Sequence, residues 1–578
     1  MKRSFLRRFT ASFLSIVTVW CGFVGCSKPG SGNGDATDKP KLPWNAYGIE
    51  GYSIVYAEGA DEKTVGRANK LADAINEKWG TDIAVITDAT PDSGEKEILI
   101  GNTNRESSIG LMERLQESGD QKAYAVEIAG VKIAISGMDP SSTMRAVEYF
   151  IREYVEPAEY ENCIDISKGK SVMTSLDAVK TIVLSNGTEL DIELTSTVFQ
   201  VPAGGTVEVM GINSTVSTAH YPSVIELQHN GENNGKLLGI FCLNDTPVAG
   251  TAKTNSCVVE SSDGGKTWKI ISRPMESIDT SIKGISMAHI YELPTQVGDM
   301  PEGTLLYTGN SVNYSKKSHI AVWKSTDCGK TWKEITVIAE GGGTREGVWE
   351  PFMYFNEKDG YLYCFYSDDS DPAHDQKLVY KRSRDGVNWS SAVEVCALEE
   401  QKDRPGMFIM TKMGVGPYFM VYEYFGSKRG DVYYKITGDI TNWNSDSPGT
   451  KLQLPDGYAL SGAPSCIWTS VGGKNGILIV SGKHELQGTE IITHPEGTAE
   501  EVSPKLFVSF DNGSTWETID NFLPYNPGND ALDTNRIGHS SAFFVGEDPS
   551  VIYYMSCTDT PETGRQRIQF ARIRIYEA

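Results

Sequence analysis

Ser261-Ser262-Asp263-Gly264-Gly265-Lys266-Thr267-Trp268 sets a pattern that returns along the chain. Ser325-Thr326-Asp327-Cys328-Gly329-Lys330-Thr331-Trp332 and Ser509-Phe510-Asp511-Asn512-Gly513-Ser514-Thr515-Trp516 repeat it as S-x-D-x-G-x-T-W. Two worn copies stand between them, Ser383-Arg384-Asp385-Gly386 with Trp389 and Thr437-Gly438-Asp439 with Trp443. The logic of the motif is local. The Asp carboxylate accepts backbone N–H groups across a tight turn, Gly supplies a permissive backbone, and Trp packs between sheets. Asp263, Asp327, Asp385, Asp439 and Asp511 are therefore read as structural residues.

The motif resembles the Asp-box of the sialidase-like β-propellers. Its Asp positions are 64, 58, 54 and 72 residues apart, a mean of 62, which is the length of one four-stranded blade. The 384 residues from Thr195 to Ala578 divide into close to six such lengths, so a six-bladed propeller is expected over 195–578. Thr206 to Met210 is expected to pair with the last strand, near Gln569 to Ile575, and so close the ring.

Composition narrows the function. Lys and Arg number 53 against 76 Asp and Glu, a net charge of −23 that repels the phosphates of nucleic acid. The 58 Gly and 11 Trp suit a turn-rich β protein. Residues 1–26 read as an export signal, with Lys2, Arg3, Arg7 and Arg8 ahead of an apolar run from Phe13 to Val24 that is short for a membrane span. The run ends Phe23-Val24-Gly25-Cys26, which resembles a bacterial lipobox, with Phe23 in place of the usual Leu. That resemblance implies lipidation at Cys26 and a lipoprotein of the cell envelope, facing the periplasm or the exterior and held to the membrane by lipid alone. An ordinary cleaved signal is the alternative. Residues 27–45 form a Gly-, Ser- and Pro-containing tether. The other cysteines mostly sit in apolar runs such as Leu362-Tyr363-Cys364-Phe365-Tyr366 and read as buried strand residues, and no spacing argues for a metal or any other cofactor.

A small α+β domain is expected over 46–175. Val65, Ala68, Leu71, Ala72, Ile75 and Trp79 recur at helical spacing before Gly80, a second helix is expected over Thr143 to Tyr154, and short apolar runs such as Ile83–Ile86, Glu97–Ile100, Tyr124–Ile128 and Lys132–Ile135 predict strands. With Ile98-Leu99-Ile100-Gly101-Asn102-Thr103, this unit resembles the non-catalytic domain that precedes hexosaminidase- and α-glucuronidase-type glycoside hydrolases. Residues 176–194 are expected to connect it to the propeller.

Blade starts locate the chemistry. Tyr221-Pro222, Met287-Ala288, Glu350-Pro351, Arg404-Pro405, Ala463-Pro464 and Arg536-Ile537 align as inner-strand openings, and in an antiparallel hairpin each lies beside the end of the following strand. The alignment gathers His220, Tyr221, Glu350, Asp368, Asp369, Arg404, Glu423, Arg536 and His539 around one mouth, with the Asp turns on the opposite face. Glu350 and Glu423, on neighbouring blades, could flank a glycosidic bond as nucleophile and acid/base, or be solvated rim charges. The other seven are candidate substrate-binding residues, each equally open to a packing role.

The succession Trp349-Glu350-Pro351-Phe352, Tyr363 to Asp369, Gln376 to Val379, Arg404 to Met407 and Met420 to Tyr424 resembles glycoside hydrolase family 93, the exo-α-1,5-L-arabinanases. The resemblance implies exo-acting, retaining release of arabinobiose by a glutamate pair at Glu350 and Glu423, with carboxyls about 5–5.5 Å apart. An exo-α-sialidase is a rival, yet the first blade reads Tyr221-Pro222-Ser223 where sialidases carry Arg-Ile-Pro, so only Arg345, Arg404 and Arg536 are left to hold a carboxylate. The other rival is a surface propeller that binds glycan without catalysis. The expected partner is an oligosaccharide or polysaccharide, and a monomer is expected.

Overall fold

A computed structural model describes residues 46–577, except 93, 95, 160–161, 168, 176–177, 179, 204–205, 210–211, 248–255, 275–283, 314–316, 344, 493–497, 527–536 and 560–564. The signal, the tether and Cys26 lie outside the described residues, as does Arg536. No helix among the described residues is long and apolar enough to cross a membrane.

The N-terminal part is a six-stranded sheet in the order Ala84–Thr87, Ser53–Tyr56, Glu97–Ile100, Lys132–Gly137, Ala123–Ala129 and Ser171–Ser175. Its first four strands run parallel. Helix α1 (Glu62–Trp79) starts at Asp61, whose carboxylate accepts the Thr64 N–H, and stops at Gly80, whose φ of 64° only glycine adopts cheaply. Strand residues alternate between faces. Ile54, Ile98, Ile133 and Ile135 therefore meet Leu71, Ile75 and Val147, from α1 and α3 (Pro140–Phe150), while Val55, Leu99 and Ala134 meet Leu111 and Leu115 of α2 (Glu106–Glu117) on the other side.

The rest is a β-propeller. The first blade is built on Ile212–Glu226, Leu237–Pro247, Ser256–Ser261 and Lys269–Ser272, with Thr206–Val209 at its edge. The second runs from Gly284–Glu292 to Lys333–Gly341, and the third from Val348–Asn356 through Tyr361–Asp368 and Lys377–Ser383 to Val393–Cys396. The fourth starts with Arg404–Lys412, Tyr418–Phe425 and Arg429–Thr437, and the fifth comprises Ser465–Thr469, Ile477–Ser481, Leu506–Ser509 and Glu517–Ile519. Five blades are thus built from successive strands, in place of the six expected from the repeat length. The remaining sheet is composite: Ala542–Val545, Val551–Asp559 and Gln566–Tyr576 are joined by Glu189–Gln200 and Lys180–Val183 from before the first blade. Dividing a length by a mean period cannot register a sheet assembled from two ends of the chain.

The closing strand also differs from expectation. Thr206–Val209 pairs with its hairpin neighbour Ile212–Glu226 in the first blade, Thr206 opposite Thr215, whereas Glu189–Gln200 takes the last strand, from Glu189 opposite Tyr576 to Gln200 opposite Arg567. Part of the expected connector, 176–194, is accordingly strand. This seam also carries the N-terminal part. Arg145 of α3, 2% exposed, bonds both Asp191 oxygens at 2.7 Å and Glu189 Oε2 at 2.9 Å, and its guanidinium lies 4.8 Å from the Tyr576 ring centre. Lys63 and Ser141 reach the other Glu189 oxygen.

The Asp turns lie between third and fourth strands. Asp327 Oδ1 accepts the Lys330 and Thr331 N–H groups at 3.1 and 2.9 Å, and Oδ2 accepts the Thr331 hydroxyl at 2.6 Å. Asp263 and Asp511 bond the same way to Thr267 and Thr515. Trp332 Nε1 donates to Ser272 Oγ of the preceding blade at 2.9 Å, and Trp268 Nε1 to Ser196 Oγ of the composite sheet at 3.1 Å. The Asp263 and Asp327 turns therefore also tie neighbouring sheets together.

Candidate active site

Six residues near the axis adopt left-handed backbone: Tyr221 (φ 51°), Met287 (52°), Glu350 (47°), Met407 (58°), Ala463 (44°) and Ser540 (56°). Side chains resist this region, at roughly 1–2 kcal/mol each, so the packing around them must hold it. In the first four blades the residue sits in a break of ladder register, between His220 and Ser223, Ser286 and His289, Trp349 and Phe352, and Gly406 and Ile409. These bulges re-aim one side chain per inner strand toward the axis. The positions match the aligned Tyr221, Met287, Glu350 and Ala463, but fall at Met407 and Ser540 instead of Arg404 and Arg536. Arg404 stands three residues ahead of its blade's ring position.

Below the ring an axial cavity of about 310 Å³ runs down the inner strands toward Ile225, Tyr354, Lys412 and Phe544. Tyr221, Met407 and Ala463 pack together as its apolar rim, with Met287 against them. Among the described residues Glu350 is the one carboxylate on the cavity wall, and Asp369, Arg404 and Glu423 stand outside it. The residue keeps partial exposure, yet its Oε2 is enclosed and accepts no hydrogen bond. Burial pushes the Glu350 carboxyl up to about 8; the Ser367 hydroxyl and Arg404 oppose the shift, and the charges of Glu423 and Asp369 reinforce it.

Glu423 lies opposite Gly406 on the second strand of the fourth blade, and its Oε2 accepts the Ala463 N–H at 2.7 Å. Phe365 and Phe408, stacked at 4.2 Å between ring centres, weld the third blade to the fourth beneath the two glutamates. Asp369 is 6% exposed, and its Oδ2 accepts Trp349 Nε1 and Arg404 Nη2, each at 3.1 Å. Arg404 also donates to the Asp375 carbonyl at 2.8 Å. Asp368 is turned into its own loop, where Oδ1 accepts the Ser370 N–H and hydroxyl at 2.9 and 2.5 Å. His220, Tyr221 and His539 form a second group: Tyr221 meets the His220 ring edge-on at 5.3 Å and the His539 ring at 4.8 Å.

Sequence reasoning missed Ser367, Trp349, Met407 and His289. Burial pushes the His289 imidazole down to about 4, and its Nδ1 accepts the Met353 N–H at 3.2 Å, which leaves the proton on Nε2. Met407 takes its ring position through the register break between Gly406 and Ile409, which the proline at 405 does not mark. Asp371, His374 and Glu394 come together as potential metal ligands, but the Lys377 ammonium already bonds both carboxylates, at 2.5 and 3.0 Å.

The fold is similar to that of an α-L-arabinofuranosidase from Fusarium graminearum in complex with an iminosugar inhibitor: 25% identity, 66% of this chain, 97% of that chain, TM-score 0.53. A Penicillium chrysogenum α-L-arabinanase complexed with arabinobiose is 26% identical over 68% of this chain and 98% of its own, with a TM-score of 0.52. The Fusarium enzyme with arabinobiose, named as a family 93 glycoside hydrolase, gives 25% over 66% and 98%, with the same TM-score. The chain is a glycoside hydrolase. No protein-family model matches it, and no curated protein matches its sequence. Two carboxyls in different environments meet at this mouth: burial pushes Glu350 up, and Glu423 accepts a backbone N–H.

Proposed function

We propose that this hydrolase is an exo-acting, retaining, arabinanase-like enzyme in which Glu350 is the acid/base and Glu423 the nucleophile. The observation that carries the reading is the contrast between the two carboxyls: Glu350 has an enclosed Oε2 that accepts no hydrogen bond and is pushed up to about 8, whereas Glu423 accepts the Ala463 N–H. A group protonated at neutral pH donates its proton to the leaving oxygen as the glycosidic bond breaks, while Glu423 attacks the anomeric carbon. Glu350, by then ionised, takes a proton from the water that hydrolyses the glycosyl–enzyme ester. The apolar rim of Tyr221, Met287 and Met407 suits the carbon face of a sugar ring.

Product analysis on linear α-1,5-arabino-oligosaccharides, beside sialyl-lactose, tests the reading. Arabinobiose of retained anomeric configuration is expected, and it should fall at least about 10³-fold in both Glu350→Gln and Glu423→Gln. Azide is expected to rescue Glu350→Gln on an activated aryl glycoside. Release of sialic acid, or an inverted product, overturns the assignment; binding of arabinan without turnover favours a glycan-binding propeller. The proposed setting is the cell envelope, with lipid on Cys26 as the sole membrane anchor. Cys26→Ser is expected to move the protein from the membrane to the soluble fraction of a bacterial host.

A further inference from the structure

Asp369 follows the second strand of the third blade, and its bonds run to both sides. Its backbone N–H donates to Gly347 O at 2.8 Å and its Oδ2 accepts Trp349 Nε1, so it grips the inner strand of its own blade on either side of Val348. The same oxygen accepts Arg404 Nη2 from the inner strand of the fourth blade, and Arg404 is further fixed by the Asp375 carbonyl. Glu350 is the residue after Trp349, and Glu423 stands beside the strand that Arg404 opens. Asp369 thus links the two blades that each supply a glutamate. It is nine-tenths buried, and besides Trp349 and Arg404 the Gln376 side chain stands at its carboxylate.

We propose that Asp369 is the positioning residue of the active site, holding Trp349 and Arg404 so that Glu350 and Glu423 keep their working separation while its own charge faces Glu350. The inference rests on the glutamate-pair reading above. A retaining glycosidase is sensitive to that separation, and small misplacements cost turnover far more than binding.

Two variants separate geometry from charge. Asp369→Ala removes the tie, and kcat is expected to fall roughly 10- to 100-fold with KM within about threefold. Asp369→Asn keeps an acceptor for Trp349 and Arg404 but removes the charge. The charged groups around Glu350 are then Arg404 from the fourth blade's inner strand and Glu423 from its second strand, with neutral His289 on the second blade. With Arg404 no longer offset, Glu350 ionises more readily, so the alkaline limb of kcat/KM moves to lower pH while kcat at the optimum stays within about fivefold. A structural residue would lower Tm without moving that limb, and if Asp369→Ala fails to fold, the Asn arm decides alone. A wild-type limb in Asp369→Asn, or a raised KM at unchanged kcat in Asp369→Ala, overturns the proposal. Glu350→Gln and Glu423→Gln run alongside: turnover in either sinks the glutamate reading, whereas two inactive glutamate variants with unaltered Asp369 variants sink only the positioning role.

Discussion

Glu350 combines a left-handed backbone, an enclosed carboxyl oxygen and like-charged neighbours, and each of these opposes folding. Its carboxyl has a folded-state pKa above its unfolded one. The proton it holds therefore contributes stability that is fully present below about 4.5 and lost as pH rises through about 8. Glu350→Gln should abolish this dependence. Its Tm is expected to exceed that of the wild type by an amount that grows from pH 5 to pH 8 and then levels off, a comparison thermal melts across that range would check. A variant equally offset at every pH would mean that Glu350 titrates normally. The same position is expected to show gained stability and lost activity together, as strained catalytic groups do.

At the scale of elements, the Asp turns and the bulged inner strands divide the labour. The turns on the far face join strands and blades, so Asp327→Ala removes a four-bond local network from an exposed turn and is expected to cost about 1–2 kcal/mol while leaving kcat/KM unchanged. Denaturant unfolding and kinetics on one preparation would check both halves. The turns were legible because their chemistry is confined to eight consecutive residues. Helix α1 was legible for a similar reason, its caps and apolar face lying in one stretch. Helix α2 was not: Arg105 gives no side-chain cap, and Leu111 and Leu115 are too few for a period. Glu350 and Glu423 were singled out by their blade positions, but Ser367 and Trp349 become neighbours of the site only when the strands are in register. Met407 was hidden by Pro405, two residues away, which resembled the prolines of other blades.

For the whole molecule, the joint between the N-terminal part and the propeller is a buried polar cluster. Arg145→Met would leave Glu189 and Asp191, 4% and 0% exposed, without their guanidinium. The expected loss is about 3–5 kcal/mol, and the triple variant with Glu189→Gln and Asp191→Asn should recover most of it. Calorimetry on the single and triple variants would check this; equal melting points for all would mean the cluster carries no net stability. Because the cluster grips the composite sheet, the propeller and the N-terminal part are expected to melt in one transition.

That composite sheet also governs when the protein can be finished during synthesis. Arg572 meets Glu193 across 379 residues of sequence, and the last strand supplies the ladder partners of Glu189–Gln200. Until Gln566–Tyr576 has left the ribosome, the nascent chain carries an unclaimed strand edge, open to pairing with another chain. Losing a dozen C-terminal residues would therefore be felt first at the other end of the ring, as a chain that is nearly complete and sticky.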